Sequence, residues 1–168
     1  MGGLLLLLTA ALVTAGCNRD ERTFRIVSSS METTLHCARP APGCRAEESD
    51  RIRVRAVRRI ERGDIVVIEF PKIAEERCGS EGEHVIRVIG LPGETVRLRD
   101  ASVFVDGAPL REPYQERGQL PPDGSWGPVP AGHLFLLGDE RLNACDSRAW
   151  GMLPRERVVG TVTKVIRP

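Results

Sequence analysis

From Ile52 onward, short runs of Val and Ile recur between glycines and prolines, and no long stretch spaces its apolar residues at helical intervals. Residues 51–57 alternate Arg51, Arg53 and Arg55 with Ile52, Val54 and Ala56, the period of a strand with one wet face. Residues 63–70, GDIVVIEF, form a continuous apolar run that suits a buried strand, and Pro71 stops it. Residues 84–89 read as another strand, ended by the GLPGE turn. Residues 94–98 and 102–105, with Asp106 and Gly107 at a tight turn, read as a meander or hairpin. Residues 111–132 are rich in Pro and Gly, contain Trp126, and are expected to run over the surface. Residues 133–137 and 158–166 supply the last strands. With no internal repeat, the expectation is a mostly β domain of coiled antiparallel sheets.

The chain has 168 residues, room for one domain with a real core. Its 24 basic and 23 acidic side chains leave a formal charge of +1, so no excess positive field points to nucleic acid. Nearly all the basic residues are arginine; the lysines are Lys72 and Lys164. Trp126, Trp150 and Phe135 are expected to fill the core rather than to meet lipid.

Residues 4–16 form an apolar run shorter than the ~20 residues of a spanning helix, and it reads as the hydrophobic region of a targeting signal. Residues 1–17 are therefore a signal anchor or a lipoprotein-type signal, in which Cys17 would be lipidated; either tethers residues 18–168 outside the cytoplasm. Four further cysteines, Cys37, Cys44, Cys78 and Cys145, lie in a compartment that permits disulfides. Cys37 and Cys44 bracket a Pro and Gly loop that suits a small ring, which leaves Cys78 with Cys145; four free thiols are the alternative. Neither CxxC spacing nor a paired histidine accompanies them, so no metal is expected, and nothing calls for a cofactor.

Just beyond the apolar run stands SSSMETTL, residues 28–35. A serine hydroxyl there needs a neighbour to take its proton and donors to hold the oxyanion. Taken alone, Ser30 would be an ordinary loop hydroxyl. Residues 84–94, HVIRVIGLPGE, and 138–151, GDERLNACDSRAWG, change that reading. Together with RGDIVV from Arg62 and VVGTV from Val158, these stretches resemble the type I signal peptidases, over most of residues 28–162. The resemblance implies a membrane-tethered serine endopeptidase that cuts leader peptides from exported proteins after small residues, with its domain on the extracytoplasmic face. The partners implied are signal peptides of exported preproteins and membrane lipid. Against a first motif of the form SxSMxPTL, the chain keeps Ser28, Ser30, Met31, Thr34 and Leu35 and has Thr33 in place of proline. By resemblance Ser30 is the nucleophile, and its amide and the Ser28 hydroxyl form the oxyanion hole. Arg87, Gly138, Asp139, Asp146, Ser147 and Arg148 are read as structural support, with Gly138 in a turn and Asp146 paired to Arg148.

One subsite departs from the family. Its general base is a lysine immediately before the Arg of the RVIGLPG motif, and here that position is Ile86. The serine that holds that lysine amine corresponds to Ala144. An isoleucine cannot transfer a proton. His84, two residues earlier on the same strand face, is a possible substitute base, although displaced by ~6.8 Å along the strand; a structural role is its plainer reading. Lys72 is a remoter substitute, and Arg87 stays charged and cannot serve. The alternative function is a catalytically impaired homologue that binds leader peptides or a translocation partner. A self-cleaving repressor is excluded by the lack of a DNA-binding segment and by the export signal.

Overall fold

In the computed structural model of the chain, the described residues are 21–168 except Arg58 and Arg117. The targeting segment and Cys17 lie outside them. A seven-stranded antiparallel sheet carries most of the chain: β1 (Glu21–Arg25), β2 (Arg51–Arg55), β3 (Ile65–Glu69), β4 (Glu83–Gly90), β9 (His133–Leu137), β10 (Leu153–Pro154) and β11 (Val158–Ile166). Its spatial order is β1-β2-β11-β3-β4-β9-β10. A four-stranded sheet, β5 (Val96–Arg99), β6 (Ser102–Val105), β7 (Ala108–Pro109) and β8 (Gly124–Trp126), has the order β7-β6-β5-β8. Among the described residues there are also two short α-helices, α1 (Lys72–Cys78) and α2 (Ser147–Trp150). The class expected from the residue pattern, mostly β and antiparallel, is the one observed.

Side-chain period explains the layers. In β2, Ile52 and Val54 are buried while Arg51, Arg53 and Arg55 face out. In β3, Val67 packs with Met31, Leu35, Ile52 and Val54 on one side of the sheet. Val66 and Ile68 pack with Ile86, Val88, Leu136 and Trp150 on the other. This two-sided burial is why residues 65–68 read as an unbroken apolar run. A third cluster of Ile89, Val96, Leu98, Val103, Phe135 and Leu137 joins the small sheet to the large one.

The large sheet curls strongly. Arg22 of β1 donates to both carboxylate oxygens of Glu83 at the start of β4, at 2.9 and 3.0 Å, although β2, β11 and β3 lie between those strands in the sheet. Between those strands, β11 shifts register twice, between Val162 and Lys164 against β2 and between Val158 and Gly160 against β3, irregularities that bend a sheet. At Gly90 a Cβ would stand 2.7 Å from Val96 and 2.9 Å from Phe135, so only glycine lets the two sheets approach there. Asp106 and Gly107 both have positive φ, as a tight turn between β6 and β7 requires.

Residues 111–132 run mostly over the surface, as their composition suggests, with a few inward anchors. Gln119 and Val129 are buried, and β8 pairs with β5 along the small sheet. Phe135 and Trp150 are in the core, and Trp126 packs against Phe135 with ring centroids 5.2 Å apart. Among the described residues no helix is long and apolar enough to cross a membrane.

Candidate active site

Ser30 sits in a single 3-10 turn, Ser29–Met31, just after β1. The turn is held from below: Met31 and Leu35 are buried in the core, and the Leu35 amide donates to the Met31 carbonyl at 2.8 Å. Across the site, the Glu140 amide donates to the Ser30 carbonyl at 3.1 Å. Gly138 lies close enough that a Cβ on it would fall 2.7 Å from that carbonyl oxygen and collide with the Ala144 methyl. The Ser28 and Ser30 hydroxyls are 3.3 Å apart. Both line a cavity of about 190 Å³ together with Ile86, His84, Asn143 and Ala144. A second cavity of about 330 Å³ shares Ser28, Ser30 and His84 and extends between Phe24 to Val27 and Glu81 to Val85.

The cavity wall nearest Ser30 carries little that can move a proton. Ile86 is buried in the cluster with Phe70 and Trp150, and Ala144 presents a methyl group. Lys72 is exposed at the start of α1 and does not line the cavity. His84 does line it, stacked on Phe70 with ring centroids 3.9 Å apart. Its Nε2 lies 3.1 Å from the Ser80 hydroxyl and 3.2 Å from the Glu81 carbonyl, and among the described residues it makes no hydrogen bond to Ser30. Burial pulls its pKa below the ordinary imidazole value, against the smaller opposing effect of the Glu81 carbonyl. The ring is therefore neutral at pH 7.

The family model for signal peptidase, peptidase S26, matches residues 3–166 of this sequence. The chain belongs to the signal peptidase family. It is 33% identical over 161 residues to signal peptidase I T of Bacillus subtilis, covering 86% of this chain and 73% of that one. A probable signal peptidase I-2 of a Synechocystis strain is 34% identical over 161 residues, covering 92% and 67%. A signal peptidase I of Leptolyngbya laminosa is 45% identical over 102 residues, but the match spans 59% of this chain and about half, 49%, of the relative. The crystal structure of a signal peptidase I from Enterococcus faecalis superimposes with a TM-score of 0.54 at 28% identity, covering 64% of this chain and all, 100%, of that one.

The supporting residues of this signal peptidase homologue form two ion-pair systems behind the serine. Arg87 grips Asp139 with both arms, Nε to Oδ1 at 2.8 Å and Nη2 to Oδ2 at 2.6 Å, and donates a third bond to the Gly63 carbonyl at 2.8 Å. Thr34 donates to the same carboxylate at 2.5 Å, tying the serine segment to β4. The Arg87 guanidinium lies 3.7 Å from the centre of the Tyr114 ring, and the Tyr114 hydroxyl donates to Glu112 at 2.8 Å. Glu112 in turn accepts from Arg141, whose Nε donates to the Gly138 carbonyl at 2.9 Å. Burial, then the Glu112 carboxylate, push the Tyr114 phenol well above its ordinary pKa, so it stays protonated and can donate to Glu112. In the second system, Asp146 takes Arg148 Nε and Nη2 at 2.7 Å each and also accepts the Gly138 amide at 3.1 Å. The Ser147 hydroxyl accepts from the Leu136 amide at 3.0 Å.

Sequence reasoning missed Tyr114, Glu112, Arg141, Thr34 as a donor, and Ser80. Glu112 and Tyr114 lie in the stretch read as surface, and only their unusual company, a carboxylate and a phenol among prolines, hinted at burial. Two disulfides frame the site. Cys37 and Cys44 close a small loop with Cα atoms 4.9 Å apart, and Cys78 at the end of α1 bonds to Cys145, with Cα atoms 6.1 Å apart. The second bond ties together two walls of the Ser30 cavity. Among the described residues no group of three or more His, Cys, Asp or Glu is arranged to hold a metal.

Proposed function

We propose that the protein is a membrane-tethered serine endopeptidase of the signal peptidase I type, cleaving leader peptides from exported proteins after small residues. Residues 1–17 serve as tether and residues 18–168 as the peptidase domain on the extracytoplasmic face. Ser30 is the nucleophile, and its amide and the Ser28 hydroxyl hold the oxyanion, donors worth about 3–4 kcal/mol each in a transition state. The observation that carries this reading is the 3.3 Å pairing of the Ser28 and Ser30 hydroxyls at the mouth of a cavity braced by Gly138 and Asp139. The groove between residues 24–27 and 81–85 suits an extended peptide.

A second reading is favoured by a specific observation: Ile86, at the position of the family's amine, is packed into the core, and Ala144, which lines the same cavity, has no hydroxyl. Under that reading the chain binds leader peptides or a translocation partner with little turnover. Cleavage of a preprotein with small residues at its processing site, by full-length protein in membranes, separates the two. Cleavage that Ser30→Ala abolishes supports the enzyme; full cleavage by Ser30→Ala refutes Ser30 as nucleophile, and binding without cleavage supports the second reading.

A further inference from the structure

The imidazole in the cavity is hydrogen-bonded to a serine other than Ser30. His84 Nε2 stands 3.1 Å from the Ser80 hydroxyl, a hydrogen-bonded serine and imidazole pair of the kind that activates a nucleophile. Ser80 sits on the short link between α1 and β4 and His84 is the second residue of β4; Cys78 anchors the start of the link to Cys145, and Phe70 stacks on the ring. Both line each of the two cavities that contain Ser30, so they share its access to an extended acyl substrate. The Glu81 carbonyl, 3.2 Å from Nε2, is placed to accept a hydrogen bond from the imidazolium that forms once the ring has taken a proton.

The geometry points to Ser80 and His84 as a second acyl-transfer pair in the same groove, acting on small acyl esters and on peptides with small side chains. In the tautomer with its proton on Nδ1, His84 Nε2 accepts the Ser80 Oγ proton as Oγ bonds to the substrate carbonyl carbon. The bond from that carbon to the leaving oxygen or nitrogen breaks; an amine or alkoxide leaving group takes the proton from Nε2, and where p-nitrophenolate leaves as the anion the ring gives its proton to solvent water. Water then gives a proton to Nε2 and its oxygen bonds to the acyl carbon; Ser80 Oγ leaves and is reprotonated. This pair does not depend on Ser30 being a nucleophile, so its failure and that of the proposed function are separable.

The test uses full-length Ser30→Ala protein with p-nitrophenyl acetate, quenching in acid and locating the acetyl group by peptide mapping. The expected result is acetyl on Ser80, forming with a rate that rises with pH through a group titrating below 6.5. Ser80→Ala should remove the label, and His84→Gln should slow its formation by about 10²-fold or more and flatten the pH profile. Circular dichroism confirms that each variant is folded, and Ser80→Thr, which keeps a hydroxyl, should retain part of the rate. No acetyl on Ser80, or acetylation of Ser80 at a rate indifferent to His84→Gln, overturns the proposal. The proposed function stands or falls separately, on preprotein cleavage by the chain that retains Ser30.

Discussion

Gly138 lies so close to the Ser30 backbone that a Cβ at position 138 would stand 2.7 Å from the Ser30 carbonyl oxygen. That contact, with the Glu140 amide bonded to the same oxygen, sets where the serine turn sits relative to β9 and the following loop. Gly138→Ala should force the serine turn and Ala144 apart, at a cost of about 1–3 kcal/mol. Chemical denaturation would show the midpoint fall, and any Ser30-dependent cleavage should fall with it. An unchanged midpoint would mean that the loop yields without strain.

Asp139 is fully buried and takes both arms of Arg87. Asp139→Asn leaves a buried guanidinium without its counter-charge, which typically costs about 3–5 kcal/mol. Glu47→Gln, which removes one side of the exposed pair with Arg39, should leave the denaturation midpoint where it is. Equal effects of the two substitutions would contradict the assignment of Arg87 and Asp139 as the brace of the site.

His84 titrates below the ordinary imidazole value because it is buried. The unfolded chain therefore binds a proton at this residue more readily than the folded one, so stability rises with pH between the folded pKa and about 6.5. Acidification through that window should lower the denaturation midpoint. His84→Gln should reduce the dependence, and an identical dependence in that variant would place its source elsewhere.

Residues 51–55, 65–69 and 133–137 announced their strands because alternation or unbroken apolar character follows directly from which sheet faces are covered. β1 was not legible: ERTFR shows no clean alternation and is fixed by pairing to β2 rather than by its own pattern. Helix α1 was missed as well, because seven residues give too short a window for a helical period. At the site, Ser28, Ser30 and the Asp146 and Arg148 pair were readable from motifs. Ser80 was not, because its importance comes from the ring of His84 folding back over the α1–β4 link. The pairing of Arg87 with Asp139 rather than with any nearby acid likewise depends on the register of β4 against β9.

The proposed tether makes a separate prediction. Residues 4–16 are apolar and Cys17 follows them, so full-length protein should fractionate with membranes. Labelling with a radioactive fatty acid should be lost in Cys17→Ser if the segment is a lipoprotein signal, and label should be absent from both proteins if it is an uncleaved anchor. Recovery of the protein as a soluble cytoplasmic species would contradict the tether.

The central claim is that Ser30 is a nucleophile deprived of its base by Ile86 and Ala144. Its most direct test is the rate of preprotein cleavage by full-length Ile86→Lys/Ala144→Ser protein, compared with the parent chain and with the same double variant carrying Ser30→Ala. The account predicts a gain of about 10²–10⁴-fold that Ser30→Ala abolishes. A folded double variant no faster than the parent, or a gain that survives Ser30→Ala, would contradict it.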